Sequence, residues 1–280
     1  MRVNKCEGRV YDGIVLRDNV LYSIVVSYVT GGAFLEDRRK FGLTSTVLHI
    51  MAMAFMLCDH LWGTVVPGND WLTCVGRLAF PIFAFMIVEG YFHTSNLKKY
   101  VIRILVFAVI SEIPFNLAMG SRVFYPLHQN VMWTFLIAVG LIYLNERAKE
   151  NGKLWKRIAV GVLSVLAGYI IGIVTMTDYY HAGILTVLAF YFFRHKKWWC
   201  YIGQAVCLWY INVEMLGGYS YEVQLFGNTY FFMRQSLALL ALVPIWLYRG
   251  EQGYYSKWLK YVYYGFYPLH LLVLGIIKLL

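Results

Sequence analysis

The chain has 280 residues, of which 60% are hydrophobic and only 14% are charged, and its mean hydropathy is +0.56. An average soluble protein has about 25% charged residues, so this composition excludes an ordinary soluble protein and indicates an integral membrane protein. The formal net charge is +10, but the basic residues occur in short clusters between apolar runs, where topology signals belong. We therefore expect membrane lipid around the protein and no nucleic acid partner.

Residues 1–43 differ from the rest of the chain because they are mixed in polarity. Their apolar run over residues 21–30 is too short to cross a bilayer. Arg17 and Asp18 precede this run, which argues against a cleaved signal peptide. We predict a cytoplasmic or interfacial extension over residues 1–43 and a multi-pass transmembrane domain over residues 44–280.

Apolar runs recur along residues 44–280, which offer room for eight to ten crossings at about 20 residues each. We predict an all-α, polytopic membrane protein with about nine transmembrane helices. Their expected ranges are 45–63, 72–93, 100–119, 129–145, 157–174, 181–193, 198–215, 235–248 and 261–278. The sixth and eighth ranges are short, and the aromatic stretch 216–233 is expected to lie in the interface or to re-enter the membrane.

Lysine and arginine residues mark every second connection between these ranges, as the positive-inside rule requires of cytoplasmic loops. The basic connections carry Arg38, Arg39, Lys40, Lys98, Lys99, Arg103, Arg147, Lys149, Lys153, Lys156, Arg157, Arg194, Lys196, Lys197, Arg249, Lys257 and Lys260. The other connections hold only Arg122 and Arg234, and Lys278 lies near the far end of the chain. We therefore predict a cell-membrane protein with a cytoplasmic amino terminus.

With this orientation, polar residues from several helices reach the same depth near the outer surface. They are Asp59, His60, Arg77, Glu112, Asn116, His128, Gln129, Asn130, Asp178 and His181. Ionisable groups are costly inside a bilayer unless they are paired or hydrated, so this layer predicts a polar cavity toward the outer face. No spacing in it is specific for a metal site, so we predict no metal.

One face of the first helix carries His49, Met53, Met56 and His60, at positions i, i+4, i+7 and i+11. Both histidines therefore lie on this face, about three turns apart. We expect such a face to line a path that runs part of the way through the bilayer.

Several of the polar residues have a structural interpretation beside the functional one. Arg77 either contacts a substrate or only neutralises the charge of Asp59 or Glu112 inside the membrane. Glu89 and His93 lie one helical turn apart near the inner surface, where they form either an interfacial pair or part of a binding site. His270 lies near mid-membrane in the last helix, and both interpretations apply to it as well.

The chain has five cysteines, Cys6, Cys58, Cys74, Cys200 and Cys207, and no CxxC pair among them. The sequence therefore predicts neither a zinc motif nor a redox motif of that type. Cys58 and Cys74 are expected to lie near one membrane surface, as two free thiols or as a disulfide.

Five motifs resemble those of the TraX family, membrane proteins named for a pilin N-terminal acetylase of conjugation systems. In chain order they are MLCDH (56–60), GRLAFPIFAFMIVEG followed by HT (76–94), SEIPFN (111–116), QNV (129–131) and FYPLHLL (266–272). The similarity covers about residues 44–280. It implies a multi-pass acetyltransferase that takes acetyl from cytoplasmic acetyl-CoA and delivers it to an acceptor across the membrane, with His60 at the position of the catalytic base.

The residue chemistry fits that implication, because acyl transfer needs a base for the acceptor proton and donors for the developing oxyanion. His60 oriented by Asp59 suits the base, and Arg77, Gln129 and Asn130 offer donors. We predict the catalytic residues His60, Asp59 and Arg77 and the substrate-binding residues Glu112, Asn116, Gln129, Asn130, Glu89, His93 and His270. We expect Lys98, Lys99 and Arg103 to bind the CoA phosphates. The alternative is that these three residues act only as topology signals.

The acceptor is expected to be an extracytoplasmic amine or hydroxyl on a peptide N-terminus, a glycan or a wall polymer. The alternative function is a transporter or flippase that binds its substrate in the polar layer. Transporters commonly show paired repeats with matching broken helices, and we find none in the sequence. An inert membrane scaffold explains the apolar helices but not the polar layer.

Overall fold

The structure is a computed structural model that describes residues 41–225 and 227–280. Residues 1–40 of the predicted extension lie outside the described residues, and so does Cys6. The described residues form ten α-helices and one two-stranded sheet. The helices are α1 (Ser45–Thr64), α2 (Asp70–Gly76), α3 (Ala79–His93), α4 (Leu97–Gly120), α5 (Val131–Asn151), α6 (Leu154–Val174), α7 (Tyr180–Phe192), α8 (Trp198–Trp209), α9 (Leu242–Trp246) and α10 (Lys257–Leu279).

Six helical segments are long and apolar enough to cross a membrane, which indicates a membrane protein. They are Ser45–Thr64, Asp70–His93, Leu97–Gly120, Val131–Glu150, Leu154–Val174 and Trp258–Leu279. The other three predicted spans coincide with shorter helices, so the described residues do not establish the predicted number of nine. One of these, α7, has nine buried residues among its 13, and its apolar sequence therefore reflects contact with neighbouring helices on all sides.

Side-chain caps fix where several of the long helices begin. Thr44 accepts a hydrogen bond from the backbone of α1, Asn96 from α4, Asn130 from α5 and Ser256 from α10. Such caps satisfy backbone N–H groups that have no partner inside the helix. The second predicted span is interrupted at residues 77–78, between α2 and α3. Pro81 contributes to the break because it has no N–H to bond the carbonyl of residue 77.

The stretch 216–233 forms a β-hairpin, which departs from the predicted all-α fold. Strand β1 (Ser220–Leu225) pairs antiparallel with β2 (Asn228–Met233), and Ser220 lies opposite Met233. A π-helical segment over Tyr210–Leu216 extends α8 and ends at Gly217 and Gly218, whose φ angles of 55° and 101° suit glycine. The aromatic residues that suggested an interfacial segment are also typical strand formers.

Contacts between connections show which helix ends lie together. At one end, which we call the basic end, Ser45 N donates to Glu251 O at 2.8 Å, and Lys196 Nζ donates to Tyr248 O at 2.9 Å. At the opposite end, which we call the hairpin end, Gln129 N donates to Met176 O at 2.9 Å, and the hairpin contacts the start of α2. Among the described residues, the connections after α7 and before α10, both predicted to be basic, therefore lie at the same end of the helices.

Candidate active site

Two cavities enter the helix assembly from its opposite ends. The basic-end cavity has a volume of about 570 Å³ and the hairpin-end cavity a volume of about 480 Å³. Five side chains line both cavities: Met56, Phe83, Val131, Phe135 and Tyr267. The two spaces thus meet at one layer of mostly apolar side chains.

The predicted face of α1 runs along both cavities. His49 and Met53 line the basic-end cavity, Met56 lines both, and His60 lines the hairpin-end cavity. The helical spacing of these residues predicted a path part of the way through the bilayer, and the structure places each of them on it.

His60 forms a hydrogen-bonded pair with His270, which follows it by 210 residues. The Nδ1 atom of His60 lies 2.7 Å from Nε2 of His270, and the two rings are nearly coplanar, with 7° between their planes. The other ring nitrogen of His270, Nδ1, lies 2.6 Å from the carbonyl oxygen of Phe266. His270 is buried, so this chain of hydrogen bonds is protected from water.

The chain of hydrogen bonds fixes the tautomers of both neutral imidazoles. A carbonyl oxygen only accepts, so Nδ1 of His270 carries the hydrogen that bonds Phe266. Nε2 of His270 is then the acceptor, and Nδ1 of His60 is the donor. The lone pair of His60 consequently lies on Nε2, which has no hydrogen-bond partner within residues 41–225 and 227–280. The ring nitrogen of His60 that is free to accept a proton is therefore the unprotonated one, as a general base requires.

Asp59 does not orient His60, so this part of the sequence prediction is wrong. Its carboxylate instead accepts hydrogen bonds from Thr73 Oγ1 at 2.8 Å and from the Arg77 guanidinium. Neighbouring residues of a helix point in different directions, which separates the Asp59 carboxylate from the His60 ring. Gly76 allows α2 to approach this closely, because a Cβ there would collide with Asp59. Arg77 thus neutralises Asp59, as the structural interpretation expected.

Three of the five N–H donors of Arg77 bond protein partners. Its Nε donates to Thr73 O at 3.3 Å, its Nη1 to Gln235 Oε1 at 3.1 Å, and its Nη2 to Asp59. Gln235 is held in turn by Asn212, whose Oδ1 lies 3.0 Å from Gln235 Nε2. Arg77 lines the hairpin-end cavity, and two of its N–H groups have no hydrogen-bond partner among the described residues, so its role as a donor to an oxyanion stays a prediction.

Four other predicted substrate-binding residues line neither cavity: Glu112, Asn116, Gln129 and Asn130. Both hydrogens of the Asn130 amide are used, by Ala108 O at 2.8 Å and by Glu112. Gln129 Nε2 donates to Pro126 O at 2.6 Å, and Asn116 is buried. Asn130 and Glu112 thus tie α4 to α5, and Gln129 closes the connection before α5. The structure does not support a role for the four residues in binding substrate.

Glu89 and His93 both line the basic-end cavity, but Glu89 has a second partner that the sequence did not indicate. Its carboxylate lies 2.7 Å from Arg194 Nε and 3.7 Å from His93 Nδ1. Arg194 is thereby drawn over the ring of Phe92, at 4.1 Å from the ring centroid. The charge of Glu89 is neutralised by this ion pair, which links α3 to the connection after α7.

Arg103 is the member of the predicted CoA-binding group that reaches a cavity. It lines the basic-end cavity together with Lys260, whereas Lys98 and Lys99 are exposed and line neither. The Arg103 guanidinium packs against the ring of Tyr264, and its buried Nε has no hydrogen-bond partner among the described residues. Sequence reasoning missed Lys260 as a site residue, since only its place in a basic connection marked it.

His128 and Asp178 form an ion pair on the wall of the hairpin-end cavity, with His128 Nε2 at 3.6 Å from Asp178 Oδ1. Hydrogen bonding to the Asp178 carboxylate raises the pKa of His128 above its usual value of 6.5. The neighbouring Tyr179 also lines this cavity, and burial raises the pKa of its hydroxyl. Tyr179 and Tyr267 are cavity residues that the sequence analysis did not single out.

The cysteines and acidic residues give no sign of other chemistry in the described part of the chain. Cys58 and Cys74 are free thiols, so the alternative of a disulfide between them is wrong. Residues 41–225 and 227–280 contain no cluster of three or more His, Cys, Asp or Glu side chains that could hold a metal ion.

The fold and site together define a helical membrane protein in which two opposed cavities meet beside a histidine pair. The chain belongs to the TraX family, whose description, TraX protein, matches residues 44–278. It is similar to the probable fimbrial assembly protein FimC, serogroup H1, of Dichelobacter nodosus, with 27% identity over 252 residues that cover 84% of this chain and 96% of that protein. No solved structure matches the chain significantly.

Proposed function

We propose that the protein is a transmembrane acetyltransferase that moves acetyl from cytoplasmic acetyl-CoA to an extracytoplasmic amine or hydroxyl. The observation that carries this proposal is the meeting of two cavities beside His60, whose Nε2 bears the free lone pair. A donor that enters from one end and an acceptor that enters from the other reach the same layer of side chains. The positive-inside rule assigns the basic end, and the amino terminus with it, to the cytoplasm.

Acetyl-CoA is the donor substrate in this proposal, and the basic-end cavity receives it. Arg103 and Lys260 bring positive charge to the cavity, which suits the phosphates of CoA. The cavity is lined mainly by aromatic and aliphatic side chains, among them Phe83, Tyr264 and Tyr267. Such a lining suits the uncharged arm that carries the thioester toward the layer shared by both cavities.

The acceptor reacts by direct attack on the thioester carbonyl carbon. His60 Nε2 takes the proton of the acceptor N–H or O–H as the new bond to carbon forms. The carbon–sulfur bond then breaks, and the CoA thiolate leaves with the proton that the His60 imidazolium returns. The hydroxyl of Tyr267, which lines both cavities, is the donor that we assign to the oxyanion of the tetrahedral intermediate.

The acceptor enters the hairpin-end cavity, and the candidate classes are a peptide N-terminus, a glycan and a wall polymer. The name of the Dichelobacter nodosus relative connects one similar chain with fimbrial assembly, which favours a cell-surface acceptor. The same cavity would suit a transporter or flippase, but transport does not require the fixed tautomer of His60.

The decisive experiment measures acetyl-CoA turnover by the purified, reconstituted protein. We expect release of free CoA that increases when acceptors are added, and transfer of labelled acetyl to the acceptor. Binding of acetyl-CoA without any release of CoA would favour a transporter. An absence of both binding and release would contradict the proposal.

Orientation is tested separately. Single cysteines placed in exposed basic-end positions should react with a membrane-impermeant maleimide only after the cytoplasmic side is opened. Labelling of intact cells at these positions would contradict the assignment of the basic end to the cytoplasm.

A further inference from the structure

We propose that Arg234 binds an anionic group of the acceptor, so that the acceptor carries a phosphate or carboxylate beside the amine or hydroxyl that is acetylated. The inference rests on the acetyltransferase function proposed above, and it narrows the acceptor class. Arg234 lies on the wall of the hairpin-end cavity. In the sequence it stands out only as one of the few basic residues outside the basic connections.

The fold holds Arg234 firmly at this wall. Its backbone N–H donates to Tyr219 O at 2.9 Å, which closes the base of the hairpin. Its guanidinium packs over two aromatic rings, with Cζ 4.7 Å from the ring centroid of Trp62 and 5.5 Å from that of Tyr219. Trp62 lies in the last turn of α1, two residues after His60, and both Arg234 and His60 line the hairpin-end cavity.

Aromatic packing leaves a guanidinium able to bind an anion. The rings contact its faces, whereas its N–H donors point outward in its own plane, in the fork that matches a carboxylate or a phosphate. Arg234 also hydrogen-bonds the Tyr221 hydroxyl, which uses one of these donors. It forms no ion pair with a carboxylate among the described residues, in contrast to Arg77, whose nitrogens are all engaged.

The aromatic support is itself fixed by Asp70. Trp62 Nε1 donates to Asp70 Oδ1 at 3.1 Å, and the Tyr221 hydroxyl donates to Asp70 Oδ2 at 3.2 Å. Both oxygens of this carboxylate are therefore used to position the rings. A support that is ordered before the ligand arrives reduces the entropic cost of binding.

The charge balance of the cavity leaves the cation of Arg234 without a direct counter-ion. Asp59 is paired with Arg77, and Asp178 is paired with His128. A positive charge beside low-dielectric walls attracts an anion more strongly than one in open water. An acceptor phosphate or carboxylate supplies the missing negative charge, and the phosphate of an anionic lipid headgroup is the other source of the same chemistry.

The first test measures binding of inorganic phosphate to the full chain in nanodiscs of neutral lipid. We expect phosphate to raise the unfolding temperature of the wild type, and Arg234→Gln to weaken this binding by at least about 10-fold. Arg122→Gln is the matched control, because Arg122 is exposed and lines neither cavity. Equal phosphate binding by the wild type and Arg234→Gln would overturn the inference. Equal loss of phosphate binding in Arg234→Gln and Arg122→Gln would also overturn it, because it would show an adventitious ion only.

The second test compares glucosamine with glucosamine 6-phosphate as acetyl acceptors. We expect the wild type and Arg122→Gln to prefer the phosphorylated sugar by about 10-fold in kcat/KM, and Arg234→Gln to lose this preference. Loss of lipid binding in nanodiscs with anionic lipid, without any change in acceptor preference, would assign Arg234 to lipid and overturn the inference. If the wild type does not turn over acetyl-CoA, the proposed function fails, while phosphate binding still decides whether Arg234 is an anion site.

Discussion

The His60 and His270 rings lie 5.0 Å apart between centroids, and a 2.7 Å hydrogen bond joins Nδ1 of the first to Nε2 of the second. This pair connects the hairpin-end cavity with the main chain of α10, where Phe266 O accepts from His270. His270 touches neither cavity. We therefore regard it as a positioning residue that acts on the acceptor only through the tautomer of His60.

Substitution of His60 by alanine should reduce acetyl transfer by about 100-fold or more, since it removes the general base. Release of CoA and labelling of the acceptor measure the loss, and an unchanged unfolding temperature shows that the fold is retained. His195→Ala is the control, because His195 is an exposed histidine at the basic end that lines neither cavity. Activity of His60→Ala near that of the control would remove His60 as the base.

Substitutions of His270 separate its hydrogen bond from its bulk. His270→Gln offers an acceptor to His60 Nδ1 and should retain most activity, whereas His270→Leu should lower kcat by about 10-fold because the His60 tautomer is no longer fixed. Nitrogen-15 NMR of labelled histidine, assigned with the His60→Ala variant, should show the hydrogen on Nδ1 of His60 in the wild type. A His60 hydrogen on Nε2 in the wild type would contradict the arrangement.

Arg103→Gln should raise the KM for acetyl-CoA by about 10-fold, with a smaller effect on kcat, because a charged hydrogen-bond donor to the CoA phosphates is lost. Lys98→Gln is the matched control, since Lys98 is exposed and lines neither cavity. Steady-state kinetics of both variants measure the difference. Equal KM values for the two variants would show that Arg103 serves topology alone.

Asp59→Ala should lower the free energy of unfolding by about 2 kcal/mol, because it leaves the largely buried Arg77 without its carboxylate. Unfolding in mixed detergent micelles measures this change. The exposed pair of Arg147 and Glu150 is the comparison, and Glu150→Ala should change stability by less than about 0.5 kcal/mol. Similar losses at the two pairs would contradict the importance that we give to burial.

The pair of His128 and Asp178 should make stability depend on pH. The folded-state pKa of His128 is raised above the unfolded value of 6.5, so its contribution is complete below that value and is lost as the pH rises through the folded pKa. The difference in unfolding temperature between the wild type and His128→Asn should therefore be large at about pH 5.5 and small at about pH 8.5. A difference that grew with pH would contradict the ion pair.

The sequence predicted features that depend on local spacing or on charge. The face from His49 to His60 follows from helical periodicity, and the gathering of basic connections follows from the positive-inside rule. Several helix bounds also agree, because apolar length and capping residues determine them together. The ion pair of Asp59 and Arg77 was one of two pairings that the sequence left open.

The remaining features depend on contacts between distant parts of the chain. No local pattern links His60 to His270 across 210 residues, or Glu89 to Arg194. The apolar run of α7 has the same appearance whether protein or lipid surrounds it, which is why its length of 13 residues was the better guide. Arg234 was read as an exception to the charge pattern, and only the folded hairpin shows what surrounds it.

The fixed end of the histidine pair is a main-chain carbonyl, and this has a consequence for genetics. Every amino acid at position 266 supplies that oxygen, so no substitution there deletes the hydrogen bond to His270. A saturation screen of the TraX chain would thus report position 266 as tolerant of polarity but sensitive to ring shape, since the Phe266 ring stacks on His270 at 4.7 Å. Such a screen would not detect the role of the carbonyl oxygen of residue 266 in fixing the tautomer of His60.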